Sequence, residues 1–244
     1  MGHCSSYSAI SRSWIGYDSW YLGHRTGYNS SGTGIHGGRH SEHFNSTFHG
    51  TCTNWIRNLN FFSTNYGSLG GVQWVGDVGV GVCKSGYHGS ARAFDLTKVQ
   101  WANGMVDMNW SWRSSNTIAN RRRYVAVAAQ CRRYVGTVLT TWYNSAHGNH
   151  IHFDNGTAVT YIRTGVRSDT TLVQASCNLL NGESLAIDGQ WGPLTDGAYL
   201  RLLSKFNMRC LSPKSNATHA KQFLSYIVRH GLANRAAGYW RYSC

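Results

Sequence analysis

Four residues able to bind a metal or move a proton fall within one short stretch, NSAHGNHIHFDNG: His147, His150, His152 and Asp154. A second set lies upstream in SGYHGSARAFDL, where His88 and Asp95 stand seven residues apart across a Gly-Ser-Ala turn. If Asp95 occupies the strand that follows this turn, both side chains can reach one point. Adding one histidine from HIHFD yields two imidazoles and one carboxylate. Three nitrogen or oxygen ligands with a vacant fourth position is how catalytic zinc is held, whereas structural zinc is closed by four ligands. Side chains alternate along a strand, so His150 and His152 share a face. One of them can bind zinc while the other stands beside the reacting groups. Asp154 is read as an outer carboxylate that fixes a histidine tautomer.

The segments around these residues have the patterns needed to hold them. VQWVGDVGVGV alternates apolar and small residues as a strand does, and ARAFDL reads as a second strand. From Asn116 to Tyr134, Ile118, Val125, Ala128, Ala129 and Tyr134 recur near helical spacing, with Gly136 as a stop signal. GTVLTTWY and HIHFD supply two further short strands. Strands and helices mixed without regular βα alternation predict an α+β domain over residues 71–165 with a small mixed or antiparallel sheet. Residues 168–244 change character: TLVQASCNLL, GAYLRLLSKF and HAKQFLSYIVRHGL are three short amphipathic helices, expected to form a separate module. The polar segment IRTGVRSD before them is expected to be an exposed linker. Residues 1–70 are rich in Gly, Ser, Asn, His and Tyr and predict loops and turns, an extension tied down by Cys4 and Cys52. HGGRHSEHF within it is a second ligand-rich cluster.

Composition narrows the setting. The chain has 244 residues, 41% of them apolar, which supplies a real core and argues against wholesale disorder. No run approaches the length of a membrane span. The formal charge is +13, from 23 Lys and Arg against 10 acids, so polyanions are attracted and binding should weaken with salt. The clearest basic clusters are Arg121–Arg123 and Arg132–Arg133. No recognisable nucleic-acid motif accompanies the charge, so nucleic acid is not the expected partner. Seven cysteines without a CxxC pair favour disulfides in an oxidising compartment over a thiolate zinc knot. The N-terminus MGHCSSYSAI has no basic stretch followed by an apolar one, so an extracellular protein would have lost its leader or left its cell by another route.

YHGSARAFDL followed by CRRYVGTVLTTWYNSAHGNHIHFD resembles the extensin-like C-terminal family, a branch of the M15-type D,D-carboxypeptidases and endopeptidases. That zinc-peptidase group is marked by H-x6-D and a distal H-x-H, and the resemblance covers about residues 72–156. It implies that His88, Asp95 and His152 are zinc ligands. It implies that His150 is the general base or an electrostatic partner, and that His147 orients it or the substrate. Cys83 and Cys131 fall where the family has its cysteine pair, which implies that disulfide. Two departures stand out. Gly86 and Tyr87 replace the family's Ser-Glu before the first histidine, and Lys84 is the nearest basic residue where related enzymes place an arginine. A lysine offers a point charge rather than a bidentate fork for a substrate carboxylate.

LVQASCNLLNGESLAIDGQWGPLTDGAYLRLLSKF resembles the three-helix peptidoglycan-binding domain over residues 168–207. Asp188, Gly189, Gly192, Pro193 and Thr195 fit its pattern, and Trp191 stands at its aromatic position. The resemblance implies that Asp188 and Trp191 touch the wall. The expectation is therefore a zinc hydrolase of peptidoglycan stem peptides or cross-links, extracellular or wall-associated, with the anionic bacterial cell wall as partner. The competing expectation is a wall-binding protein that keeps zinc without activity. A basic zinc nuclease is a weaker rival, because no metal–phosphate clamp is visible in the sequence.

Overall fold

The structure is a computed structural model that describes residues 8–26 and 35–238. His3, Cys4 and Cys244 lie outside the described residues. The fold is α+β, as the mixed pattern predicts. Strands β1 (Ile10–Arg12) and β4 (Glu42–Phe44) form a two-stranded ribbon. The main sheet comprises β2 (Tyr21–Thr26), β3 (Ile35–Arg39), β5 (Val72–Asp77), β6 (Ala93–Trp101), β7 (Gly104–Asp107), β8 (Thr137–Leu139) and β9 (Ile151–Asp154). Its order is β3-β2-β5-β6-β9-β8, with β7 paired to β6. Strand β2 runs parallel to β5, and every other pairing is antiparallel.

The long strand β6 organises the sheet. Its first half pairs with β9 and its second half with β7, while β5 runs along its other edge. Period-two alternation gives its faces opposite jobs. Phe94 stacks on Phe153 of β9 with ring centroids 5.2 Å apart, and Phe153 in turn meets Trp55 and Phe48. The neighbours Asp95 and His152 are register partners on the opposite face.

Trp55 and Phe48 belong to α1 (Ser46–Asn65), a 20-residue helix in a segment expected to be loops and turns. Phe48, Cys52, Trp55, Ile56, Leu59 and Phe62 recur at helical spacing and are buried, and the Asn45 side chain caps the helix by accepting from the Phe48 amide. Gly50 and the many Ser, Thr and Asn residues between them dilute the signal. Helix α2 (Ile118–Arg132) coincides with its predicted span, and Gln130 donates from it to the Trp55 carbonyl. Among the described residues no helix is long and apolar enough to cross a membrane.

Helices α3 (Arg167–Asn181), α4 (Pro193–Lys205) and α5 (Ala217–Leu232) follow the three predicted amphipathic spans. Helix α5 lies against α2 at a close approach: a methyl at Gly231 would sit 2.5 Å from the Arg122 carbonyl oxygen. One hydrophobic core runs from β1 to α5.

The segment expected to be an exposed linker is instead anchored. Ile162 is buried and its amide donates to the Pro213 carbonyl. Arg163 and Arg132 both grip Asp169, with nitrogen–oxygen distances of 2.9 to 3.0 Å. The Arg132 and Asp169 side chains are 0% and 1% exposed. The basic clusters on α2 thus serve the interior in part. Arg132 also donates to the Tyr161 carbonyl, and Arg122 donates to the Leu179 carbonyl.

The cysteine expectations need correction. Cys83 and Cys210 are disulfide-bonded, but Cys52, Cys131 and Cys177 are free and buried. The Cys83–Cys131 bond implied by the family pattern does not form, because Cys83 is on an exposed loop and Cys131 is enclosed on α2. Nor does Cys52 tie down an extension: it is a core residue of α1. Burial pushes the Cys52 and Cys131 thiols far up, which keeps both neutral.

Asp169→Ala should destabilise the chain by about 3–5 kcal/mol, because a fully buried guanidinium loses its counter-charge; chemical denaturation measures this. Burial raises the Asp169 carboxyl, yet the hydrogen bonds from Arg132 and Arg163 outweigh it and hold it below the ordinary 3.8. Its contribution is therefore present above about pH 4 and lost as pH falls through the lower folded value. Asp169→Asn should flatten that acid limb of the stability curve.

Candidate metal centre and its histidines

The turn before β6 brings His88 to Asp95. Residues Tyr87–Ser90 form a single 3₁₀ turn, and Ala91 closes it in the left-handed region at φ 54°. Gly89 is required by close approach, since a Cβ there would meet the Lys84 carbonyl oxygen at 2.1 Å. The strap from Val78 to Val80 secures both residues: Asp95 exchanges backbone hydrogen bonds with Val78 and Gly79, and the Val80 carbonyl accepts from His88 Nδ1 at 2.8 Å.

His88 Nε2, Asp95 Oδ1 and His152 Nδ1 form a triangle with edges of 3.1, 2.8 and 3.2 Å. Ligands about 2.0–2.1 Å from a tetrahedral zinc lie about 3.3 Å apart, so the triangle is one slightly tight face of such a site. The far side of each imidazole is also fixed. His88 Nδ1–H is held by Val80, and His152 Nε2–H donates to Asp154 Oδ2 at 3.2 Å. Both near nitrogens are thereby turned toward the centre as lone pairs, the arrangement that outer hydrogen bonds give to metal-binding histidines. The donor set and its tautomers fit zinc. Asp154 also accepts from the Gly156 amide, consistent with an outer role.

Without a cation, the two carboxylates around His152 favour a proton on its ring. Burial lowers His152, but its hydrogen bonds to Asp154 and Asp95 outweigh that and raise it to about 9. Burial raises Asp95, and the surrounding histidines overcome it to hold the carboxyl well below its usual range.

His150 stands beside the triangle, its Nε2 3.6 Å from Asp95 Oδ1. Its Nδ1–H donates to Asn149 Oδ1 at 2.7 Å, leaving Nε2 as the free base. Burial lowers its pKa against the pull of Asp95. His147 is further out, its ring 5.1 Å from that of His150 and 6.0 Å from that of His152. Burial and the neighbouring histidines lower it to about 4, so it is neutral near pH 7. Lys84 is exposed, and its charge reaches both His147 and His150.

Sequence reasoning missed the supports. Asn149 and Asn144, the latter accepting from His147 Nδ1, flank the histidines in the quoted stretch and were visible as hydrogen-bonding neighbours. Trp112, which donates to the Gly148 carbonyl at 2.9 Å and props the histidine turn, carried no local signal. Neither did the Val80 carbonyl.

In the C-terminal helices Asp188, which is exposed, and Trp191 both make hydrogen bonds within the chain. Asp188 Oδ1 accepts from Gln174 and from the Gln190 amide, organising the turn before α4. Trp191 donates to Asp196, packs edge-on against Tyr199 and lies under the Lys214 ammonium.

Residues 80–163 match the family model described as Extensin-like protein C-terminus. The matched segment contains His88, Asp95, His147, His150, His152 and Asp154, and supports the extensin-like resemblance for this part of the chain. Searches of curated proteins and of solved structures returned no match.

Zinc added to metal-free protein at pH 7 should release about one proton, because the metal replaces the proton that His152 carries below about pH 9. Calorimetry in buffers of different ionisation enthalpy reads that number. Asp154→Ala should weaken zinc binding about 10–100-fold while leaving the three ligands in place.

Proposed function

We propose that the chain is a zinc-dependent hydrolase of peptide bonds in bacterial peptidoglycan, of D,D-carboxypeptidase or endopeptidase type, acting outside the cell or at the wall. The single observation that carries the reading is the His88–Asp95–His152 triangle with His150, a partly buried neutral base, 3.6 Å from Asp95. The extensin-like match over residues 80–163 is compatible with it, and the H-x6-D and H-x-H spacings that resemble M15 zinc peptidases support it.

When bound, zinc would supply Lewis-acid polarisation of the scissile carbonyl and acidification of water. His88, Asp95 and His152 would hold it, with one carboxylate offsetting part of its charge. His150 takes up a proton at Nε2 and returns one to the leaving amine, a role that suits a histidine whose Nδ1–H is pinned by Asn149. His147, neutral and hydrogen-bonded to Asn144, orients His150 or the substrate. Lys84 at the rim offers an ammonium to a stem-peptide carboxylate. The C-terminal helices resemble a peptidoglycan-binding domain and would hold the enzyme near its substrate by tethering. The +13 charge suits an anionic wall and predicts binding that weakens with salt.

A second reading, a wall-binding protein that keeps zinc without turnover, is favoured by one observation. The basic residue at the rim is an exposed lysine rather than a fork-shaped guanidinium.

Digestion of purified peptidoglycan followed by mass spectrometry of the muropeptides separates the two. The hydrolase should release new amino groups, lose activity to a chelator and regain it with zinc. His150→Ala should lower turnover about 10²–10⁴-fold with zinc content unchanged. A zinc-loaded chain that binds the wall and releases nothing would establish the second reading.

A further inference from the structure

HGGRHSEHF was the other ligand-rich cluster of the sequence, and the proposed hydrolase leaves it without a role. In the structure His40 follows β3, Glu42 opens β4, and both meet Asp77 at the end of β5. One donor atom from each lies within 4.8 Å of the other two. His40 Nε2 is 2.8 Å from Asp77 Oδ2, and His40 Nδ1 is 3.9 Å from Glu42 Oε1. The Asp77 side chain is 0% exposed, that of Glu42 11% and that of His40 25%, so the imidazole is the most exposed of the three donors.

We propose that His40, Glu42 and Asp77 form a second divalent-cation site, distinct from the His88–Asp95–His152 triangle. Among the described residues, convergence of three such donors occurs in these two places. The chain has only 10 acidic residues, and four of them (Glu42, Asp77, Asp95, Asp154) gather at these two centres. An imidazole with two carboxylates is a harder donor set than the first, suited to zinc or manganese and open to calcium.

The site has a physical route to the first. Glu42 Oε2 accepts from the Val80 amide at 3.3 Å, and the carbonyl of the same residue accepts from His88 Nδ1 at 2.8 Å. Asn45, just past β4, donates to the Ala91 carbonyl at the end of the His88 turn. A cation that fixes Glu42 therefore steadies the Val80 strap and, with it, the orientation of His88.

The test is metal content of the full chain, stripped with chelator and then equilibrated with zinc, manganese or calcium. Wild type should retain two equivalents of divalent ion. His40→Gln and Asp77→Asn should each retain one, as should His152→Ala, and His40→Gln combined with His152→Ala none. His40 is partly exposed, so His40→Gln keeps the test informative if the fully buried Asp77→Asn fails to fold by circular dichroism. A second equivalent of manganese or calcium in place of zinc, lost in the same variants, upholds the site and identifies the harder ion. One equivalent in wild type that His40→Gln leaves in place, or two in both His40→Gln and Asp77→Asn, overturns it and leaves the cluster an internal ion pair. An ion that depends on His40, with none that depends on His152, would sink the catalytic reading and leave this one standing.

Discussion

One carboxylate oxygen, Asp95 Oδ1, lies 2.8 Å from His152 Nδ1, 3.1 Å from His88 Nε2 and 3.6 Å from His150 Nε2. With a second carboxylate, Asp154, behind His152, this crowding favours a positive charge at the centre. In the chain alone that charge is the proton on His152. It donates to Asp95, while the Nε2–H of the same ring is fixed by Asp154. A divalent ion can replace the proton because the supporting hydrogen bonds already aim His88 Nε2 and His152 Nδ1 at the centre. The same supports thus serve a proton and a metal, and they set the tautomers before either arrives.

This arrangement depends on strand register. Asp95 faces His152 across β6 and β9, while Phe94 faces Phe153 on the other side of the same sheet. A slip of one residue would turn the carboxylate into the aromatic layer and a phenyl ring into the polar centre. The stack of Phe94 and Phe153 against Trp55 of α1 therefore does more than fill a core. It makes every other register unfavourable, and hydrophobic packing on one face enforces polar chemistry on the other. The Asp169 clamp has a comparable role further along the chain. It binds α2, the Tyr161–Arg163 segment and α3 at a single buried carboxylate, so the C-terminal helices are positioned by charge as well as by apolar contact.

Where periodicity was strong, the sequence was readable. β6, α2, β9 and the three C-terminal helices sit close to their predicted spans, and the H-x6-D and H-x-H spacings singled out residues that do meet. What was not readable depended on distant partners. Helix α1 was hidden by polar and β-branched residues, and its apolar stripe became meaningful only with a sheet to cover. The polar IRTGVRSD segment reads as exposed until Asp169 is seen to neutralise Arg132 and Arg163 together. The cysteines misled for a related reason: sequence position cannot show that Cys131 is sealed in the core while Cys83 is at the surface. Backbone groups such as the Val80 carbonyl have no sequence signature at all, although one of them decides which nitrogen of His88 faces the centre.

The first 70 residues illustrate why spacing alone understates a site. In sequence they are a loop-rich extension lying well ahead of His88. In space, β4 supplies Glu42 to the Val80 amide, Asn45 closes on Ala91, and α1 places Trp55 and Phe48 beneath Phe153. Each contact acts on a residue that holds, or is adjacent to, a member of the triangle. A ligand turn with a left-handed residue at Ala91 and a backbone approach at Gly89 is a strained local path that must be held from outside. The N-terminal segment supplies part of that hold, so the support of the triangle extends beyond the matched residues 80–163. The match marks where the donors are, and the packing around them shows what keeps their lone pairs aimed at one point.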